Sequence, residues 1–193
     1  MQKLSYLAPV IGLGLMWTAL PAPSHAADPK FTLTSPALKN GGNLAQKYAG
    51  NNPQNKNCDG QNVSIPLAWK NAPANTKSFA IMMTDLVGRG GLGVSHWVAY
   101  DIPASKTSLK EGEASQPSKE FVGGKNLPGS TLYFGPCPPM NDTPHPYTIV
   151  LIATDIAPGT LQPGMTAAEL GAALGGHALG ATSFVANYRP EKK

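Results

Sequence analysis

Residues 144–154, with the sequence PHPYTIVLIAT, decide the fold class of this chain. The last eight of them, residues 147–154, form an almost unbroken apolar run that is rich in β-branched side chains. Such a run is typical of a β-strand, and it is the strongest strand pattern in the sequence. The run starts two residues after His145, which lies between two prolines. This histidine is therefore predicted just before the start of the strongest strand.

Other segments on both sides of this one share the short apolar pattern of strands. They are residues 31–33, 64–69, 78–84, 95–102 and 182–188. The runs at 78–84 and 95–102 are the most apolar and predict core strands. Pro66 indicates that 64–69 lies at an edge or a bulge, because proline cannot donate a hydrogen bond to a neighbouring strand. The polar segments 39–59 and 105–129 predict exposed loops.

One segment, residues 166–179, has the composition of a helix. Thr166 lies three residues before Glu169, which is the spacing of a capping box. Leu170, Leu174 and His177 would lie on one helical face. The chain is therefore predicted to be mostly β, with a helix near its C-terminus.

The first 26 residues have the pattern of a signal peptide. Lys3 is followed by an apolar run over residues 7–20, and Ser24 and Ala26 are the small residues that a signal peptidase reads. The run has 14 residues, whereas a membrane-spanning helix needs roughly 20. We expect cleavage after Ala26, which leaves residues 27–193 as one periplasmic or secreted domain; a retained anchor is the alternative. No other segment has the length and apolarity of a transmembrane helix.

The amino-acid composition gives little support to a nucleic-acid partner and favours a domain rich in β-strands. The chain has 21 glycines and 19 prolines but only 13% charged residues, which favours short strands and turns over long surface helices. The net charge is +4, and the lysines are scattered. Without a basic stripe with interleaved aromatics, nucleic-acid binding has little support. A mild positive balance is compatible with an anionic ligand.

Two cysteines, Cys58 and Cys137, are present. In an exported protein such a pair favours one disulfide, because the compartment is oxidising. Two buried free thiols are the alternative.

A glycine-rich segment, residues 88–93 (GRGGLG), matches the G-x-G-x-x-G pattern. Dinucleotide binding requires a helix to begin there, with its N-terminus at the pyrophosphate. The residues that follow, 94–98, have a strand pattern instead, and no acidic residue occurs at 115–118, near the position of the ribose contact. We therefore interpret the segment as a loop between two strands.

The residues that could bind a ligand or take part in catalysis lie at the ends of predicted strands. Asp85 ends one core strand, His96 begins the next, and His145 precedes the strand that holds Tyr147. The proline-rich segment 135–139 (GPCPP) would form a stiff wall beside them.

These side chains permit several functions. Imidazole N–H and phenol O–H groups donate hydrogen bonds to anionic oxygens. Asp85 could orient a histidine, or it could pair with a ligand's ammonium group. Together these groups suit a zwitterionic ligand that carries both a phosphate and an amine. His96, His145 and Asp85 could instead hold a metal ion. Each histidine, His177 above all, could equally be structural.

The order of motifs resembles the phosphatidylethanolamine-binding protein family, in its bacterial Raf-kinase-inhibitor-like branch. The matching segments are 31–37 (FTLTSPA), 58–64 (CDGQNVS), 67–69 (LAW), 76–80 (TKSFA) with Asp85, 96–98 (HWV), 101–103 (DIP), 133–139 (YFGPCPP) and 144–147 (PHPY). The resemblance implies a β-sandwich core with a C-terminal helix and few peripheral helices. It also implies a small pocket for phosphate-like groups and phospholipid headgroups, with no established catalytic activity, cofactor or metal. The implied ligand-binding residues are Asp85, His96, Pro138, Pro139, His145 and Tyr147.

The sequence departs from the family pattern at two places. The family motif D-P-D-A-P is here residues 85–89 (DLVGR), and P-H-R-Y is here residues 144–147 (PHPY). An acidic residue, two prolines and an arginine are thus absent, and Arg89 is a new cation. These changes affect the expected ligand more than the expected fold.

The leading hypothesis is an exported, non-enzymatic binding protein that holds a small anionic ligand and modulates a partner protein, as relatives are described as inhibitors. The alternatives are a metal-dependent hydrolase that uses His96, His145 and Asp85, and a protein-interaction module with a vestigial pocket.

Overall fold

The computed structural model describes residues 29–140 and 143–190. The predicted signal peptide, residues 1–26, lies outside the described residues. Two short helices lie in these ranges, α1 Gly88–Gly91 and α2 Ala167–Ala173. Nine strands in the described part of the chain are arranged in two sheets. They are β1 Thr32–Thr34, β2 Gly42–Asn43, β3 Leu67–Lys70, β4 Ser78–Asp85, β5 Val94–Pro103, β6 Ser108–Leu109, β7 Val122–Gly124, β8 His145–Thr154 and β9 Ala178–Tyr188.

The larger sheet has six strands in the order β2-β9-β8-β4-β5-β7, and the smaller has three in the order β1-β3-β6. The strand with the strongest sequence pattern, β8, lies between β4 and β9 and pairs with both of them antiparallel. One face of β8 is buried in the core through Tyr147, Ile149 and Leu151, and the residues between them are half-buried, which explains the nearly unbroken apolar run. The mostly β fold class predicted from the sequence is thus confirmed.

The main core lies between the two sheets. Leu33 and Trp69 from the small sheet pack in one cluster with Phe79, Ile81 and Ile149 from the large one. Because side chains alternate along a strand, the intervening residues of β4 and β5 face the other way. They form a second cluster with the helix near the C-terminus.

The C-terminal helix is shorter than predicted. Helix α2 spans Ala167–Ala173, and its N-terminus has the predicted capping box between Thr166 and Glu169. The predicted extension to residue 179 is wrong, because Gly176 adopts φ +80° and the chain turns into β9. Leu170 and Leu174 are both buried. His177 lies beyond the helix, exposed, with its Nδ1 2.8 Å from Asp155 Oδ1.

Two predicted loops contain short regular elements. The segment 39–59 holds β2 and the 3₁₀ helix Gln46–Tyr48, and 105–129 holds β6, β7 and the 3₁₀ helix Glu113–Ser115. Leu109 in the second segment is buried, so this segment is only partly an exposed loop. Such brief elements are too short to show a periodicity of their own. The three short strands form because β9, β3 and β5 pair with them. Within the described part of the chain, no helix is long and apolar enough to cross a membrane.

The two cysteines form a disulfide. Cys58 and Cys137 are 79 positions apart in sequence, and their Cα atoms lie 4.7 Å apart. The bond connects the asparagine-rich loop before β3 to the proline-rich segment before β8.

Candidate functional site

Three strands of the large sheet bring the predicted site residues to one edge. Asp85, the last residue of β4, is in register with Tyr147 of β8 on one side and with Val94 of β5 on the other. A cavity of about 480 Å³ opens at this edge. All six predicted ligand-binding residues line it: Asp85, His96, Pro138, Pro139, His145 and Tyr147. The structure therefore brings together every residue that the sequence selected, and their ligand-binding role stays a prediction.

Asp85 and His145 form a buried pair in the cavity wall. His145 Nδ1 lies 2.7 Å from Asp85 Oδ2, and the two residues are 8% and 3% exposed. A carboxylate can only accept, so Nδ1 carries the proton and donates it. The aspartate thereby fixes the tautomer of the imidazole and leaves Nε2 as the nitrogen that a ligand could use.

The other oxygen of Asp85 is also occupied. Oδ1 accepts hydrogen bonds from the backbone N–H groups of Val87 and Gly88, at 3.0 Å each. Together with His145, these donors use three of the roughly four acceptor sites of the carboxylate. The expected alternative role for Asp85, as the partner of a ligand's ammonium group, is therefore poorly supported by this geometry.

His96 lies deeper among aromatic rings. Its Nδ1 donates to the carbonyl oxygen of Phe134 at 2.9 Å, and its ring stacks on the Phe134 ring at 5.2 Å. It meets the ring of Tyr147 edge-on at 5.0 Å. Burial lowers the pKa of His96, although the Phe134 carbonyl and the charge of Asp85 oppose this shift. Near neutral pH the ring is therefore uncharged, with Nε2 as an acceptor.

Tyr147 carries a hydroxyl that lacks a hydrogen bond. Its oxygen is buried and, among the described residues, no partner lies within reach. Burial, and then the charge of Asp85, raise the pKa of this phenol, so it stays protonated at physiological pH. A buried O–H without an acceptor is unfavourable, so an anionic oxygen that reached this hydroxyl would gain a hydrogen bond without displacing one made by the described residues.

The opposite wall of the cavity is fixed by close backbone packing. An added Cβ on Gly135 would lie 2.5 Å from the backbone of both Ala49 and Gly50, so this position accepts only glycine without movement. The amide of Gly135 donates to Asn62 Oδ1 at 2.8 Å. Cys137, bonded to Cys58, is itself one of the lining residues. These contacts support the predicted stiff wall.

Several lining residues were not selected from the sequence. Asn55 reaches the cavity from the disulfide-linked loop, Phe134 stacks on His96, and Val87, Arg89 and Leu127 lie at the rim. Only Arg89 had a sequence signal, as a cation that departs from the family motif. The others depend on tertiary contacts that no local pattern encodes.

The glycine-rich segment forms part of this rim. Gly88–Gly91 is a four-residue turn, α1, within which Arg89 and Gly90 adopt φ 55° and 69°. These left-handed conformations interrupt a helix, and β5 follows three residues later, at Val94. The interpretation as a connection between strands, without a phosphate-binding helix, agrees with this geometry.

The metal-binding alternative has little geometric support. Across residues 29–140 and 143–190, no group of three or more histidine, cysteine or acidic side chains is arranged to hold a metal ion. The Asp85 carboxylate is already engaged by His145 and by backbone amides.

Comparisons with known proteins identify similar chains. A family model described as phosphatidylethanolamine-binding protein matches residues 34–189. A UPF0098 protein from Methanothermobacter thermautotrophicus is 34% identical over 142 residues, which are 72% of this chain and 91% of that protein. A "Putative lipoprotein LppC" from Mycobacterium tuberculosis is 31% identical over 169 residues, which are 86% of this chain and 75% of that protein.

A solved structure shows the same fold. The crystal structure of YbcL from E. coli, described as a new member of the mammalian PEBP family, superimposes with a TM-score of 0.76. The two chains are 27% identical, and the match covers 84% of this chain and 100% of that one.

Proposed function

Because the chain belongs to the phosphatidylethanolamine-binding protein family, we propose that it is an exported, non-enzymatic binding protein. Its ligand is a small anion that bears phosphate or a similar group, of the kind that a phospholipid headgroup presents. The ligand occupies the cavity at the ends of β4, β5 and β8.

The observation that carries this proposal is the buried, unpaired hydroxyl of Tyr147 beside two oriented imidazoles. The phenol donates to an anionic oxygen, and donors to charged acceptors give the stronger hydrogen bonds. His96 and His145 each keep Nδ1 bonded within the protein, so each offers Nε2. These nitrogens accept a hydrogen bond from a protonated phosphate, or take up a proton and donate to the anion.

The rim suits a ligand with an organic portion. Val87 and Leu127 line the cavity although they are 47% and 49% exposed. Exposed apolar side chains at the mouth of a polar site are consistent with a ligand whose anionic group enters and whose carbon skeleton stays outside. The same surface, with the neighbouring Leu86 and Leu92, is where a modulated partner protein would contact the domain.

Export has independent support. Residues 1–26 have the composition of a signal peptide, and the disulfide between Cys58 and Cys137 suits an oxidising compartment. A relative that is 31% identical carries the name of a lipoprotein. We therefore propose a periplasmic or secreted location.

Calorimetric titration with inorganic phosphate tests the binding site. The Tyr147→Phe variant removes the hydroxyl alone, and we expect it to lower the affinity about tenfold or more, the effect of one hydrogen bond to a charged group. The same variant should be as stable as the wild type or more stable, since the lost hydroxyl has no partner.

Tyr100→Phe is the matched control. The Tyr100 hydroxyl donates to the Gln162 carbonyl at 2.6 Å, outside the cavity, so its loss should lower stability and leave phosphate affinity unchanged. No phosphate binding by the wild type, or equal binding by Tyr147→Phe, would contradict the proposal.

A further inference from the structure

Among the described residues that line the cavity, Asp85 and Arg89 carry the charges, apart from the titratable histidines. The two residues differ in how accessible their charged groups are to a ligand. Asp85 is 3% exposed, and both of its oxygens accept hydrogen bonds from the protein. Arg89 is exposed at the rim. A ligand that enters the cavity therefore meets an accessible cation, whereas the carboxylate is already bound.

The guanidinium of Arg89 makes no hydrogen bond or ion pair with any residue that the structure describes. Its backbone, in contrast, is held in place. The amide N–H groups of Val87 and Gly88 bind the Asp85 carboxylate at 3.0 Å, and the Gly93 amide donates to the Gly88 carbonyl at 3.0 Å. The carboxylate that orients His145 thus also fixes the turn that presents Arg89.

Ligands that share a phosphate can differ in the charge of the rest of the molecule, and this charge would meet the rim. A ligand that also carries an ammonium group would approach an unpaired guanidinium, and like charges repel. It would find no free carboxylate to compensate among the lining residues that the structure describes, because Asp85 is already bonded. A ligand with neutral hydroxyl groups avoids this repulsion, and its phosphate can still accept hydrogen bonds from the planar guanidinium.

We propose that Arg89 makes the cavity select anionic ligands that carry no ammonium group, such as simple phosphomonoesters. This inference rests on the proposed function, since it assumes that the cavity binds an anion. It adds that the cavity prefers some anions over others and that Arg89 determines this preference.

Glycerol 3-phosphate and phosphoethanolamine test the selection, because both are small phosphomonoesters and only the second has an ammonium group. By calorimetry at low salt, we expect the wild type to bind glycerol 3-phosphate about fivefold more tightly, the ratio typical of an interaction between exposed charges. In Arg89→Gln the two affinities should agree within about twofold, and the preference should also weaken in the wild type as salt is added.

Two controls separate charge from structure. Arg89→Lys retains the cation and should retain the preference. Lys119→Gln removes one positive charge at an exposed position that does not line the cavity, and it should also retain the preference.

The outcomes distinguish this inference from the proposed function. If phosphoethanolamine binds the wild type as tightly as glycerol 3-phosphate, or if Arg89→Gln keeps the preference, the proposal that Arg89 selects the ligand is wrong. The proposed anion-binding site is not contradicted by either result. If neither compound nor inorganic phosphate binds, the proposed function fails and this inference fails with it.

Discussion

Removal of the disulfide should cost this domain a large part of its stability. The bond joins residues 79 positions apart, and the chain-entropy relation for a loop of this length gives about 4.5 kcal/mol at 25 °C. This stabilisation arises because the cross-link restricts the unfolded chain. Since a domain of this size is stable by only about 5–15 kcal/mol, the Cys58→Ala/Cys137→Ala variant should be marginally stable.

Urea unfolding of the oxidised wild type and of the double variant measures the difference. We expect a loss of about 4.5 kcal/mol together with a larger m-value, because an unfolded chain without the cross-link exposes more surface. The wild type under reducing conditions is the control, and it should lose a similar amount. A loss below about 1 kcal/mol, with an unchanged m-value, would refute the reasoning from chain entropy.

Phosphate affinity provides a second measurement on the same variant. Cys137 lines the cavity, but its segment is also held by the hydrogen bond from the Gly50 amide to the Pro136 carbonyl, at 2.9 Å, and by Asn62 at Gly135. We therefore expect the folded variant to bind phosphate with nearly unchanged affinity. A large loss of affinity would show that the bond acts on the native cavity wall as well.

Two further predictions concern residues of the site. Burial lowers the pKa of His96 below its ordinary value of 6.5, so only the unfolded chain takes up a proton there as the pH falls through that value. Urea unfolding should therefore show stability decreasing as the pH falls, with a weaker decrease in His96→Gln. Gly135→Ala places a Cβ 2.5 Å from the backbone of Ala49 and should destabilise by about 1–3 kcal/mol, whereas Gly171→Ala, with open space in α2, should stabilise by about 0.5–1 kcal/mol. A wild-type slope in His96→Gln, or equal stability of the two alanine variants, would contradict these expectations.

Strands with strong apolar patterns were predictable from the sequence because at least one face of each is buried in the core. The predicted runs at 78–84, 95–102 and 147–154 correspond to β4, β5 and β8 within three residues at each end. The helix end was less predictable, since Ala, Leu and Gly at 171–179 are compatible with a helix and only the left-handed Gly176 ends it. The strand predicted at 64–69 starts at Leu67, after the proline that cannot donate.

The candidate site was predictable where its residues lie at strand ends. Asp85, His96 and His145 converge because adjacent antiparallel strands place alternate ends at one edge of a sheet. Asn55 and Phe134 come from loops whose paths depend on the disulfide and on backbone packing around Gly135. Neither residue type, nor its spacing from a motif, indicates such a position.

The departure from the family motif also explains how residue 89 can adopt its left-handed backbone conformation. In the D-P-D-A-P pattern, a proline occupies the position of Arg89, and a proline ring holds φ near about −65°. Arg89 has φ 55°, which proline cannot adopt, so the loop here follows a backbone path that the family motif forbids at this residue. The register between Asp85 and Tyr147 does not depend on that path, because it is set by the pairing of β4 with β8. A change confined to the loop can therefore alter which anion the rim favours while the sheet keeps the two imidazoles and the phenol in place.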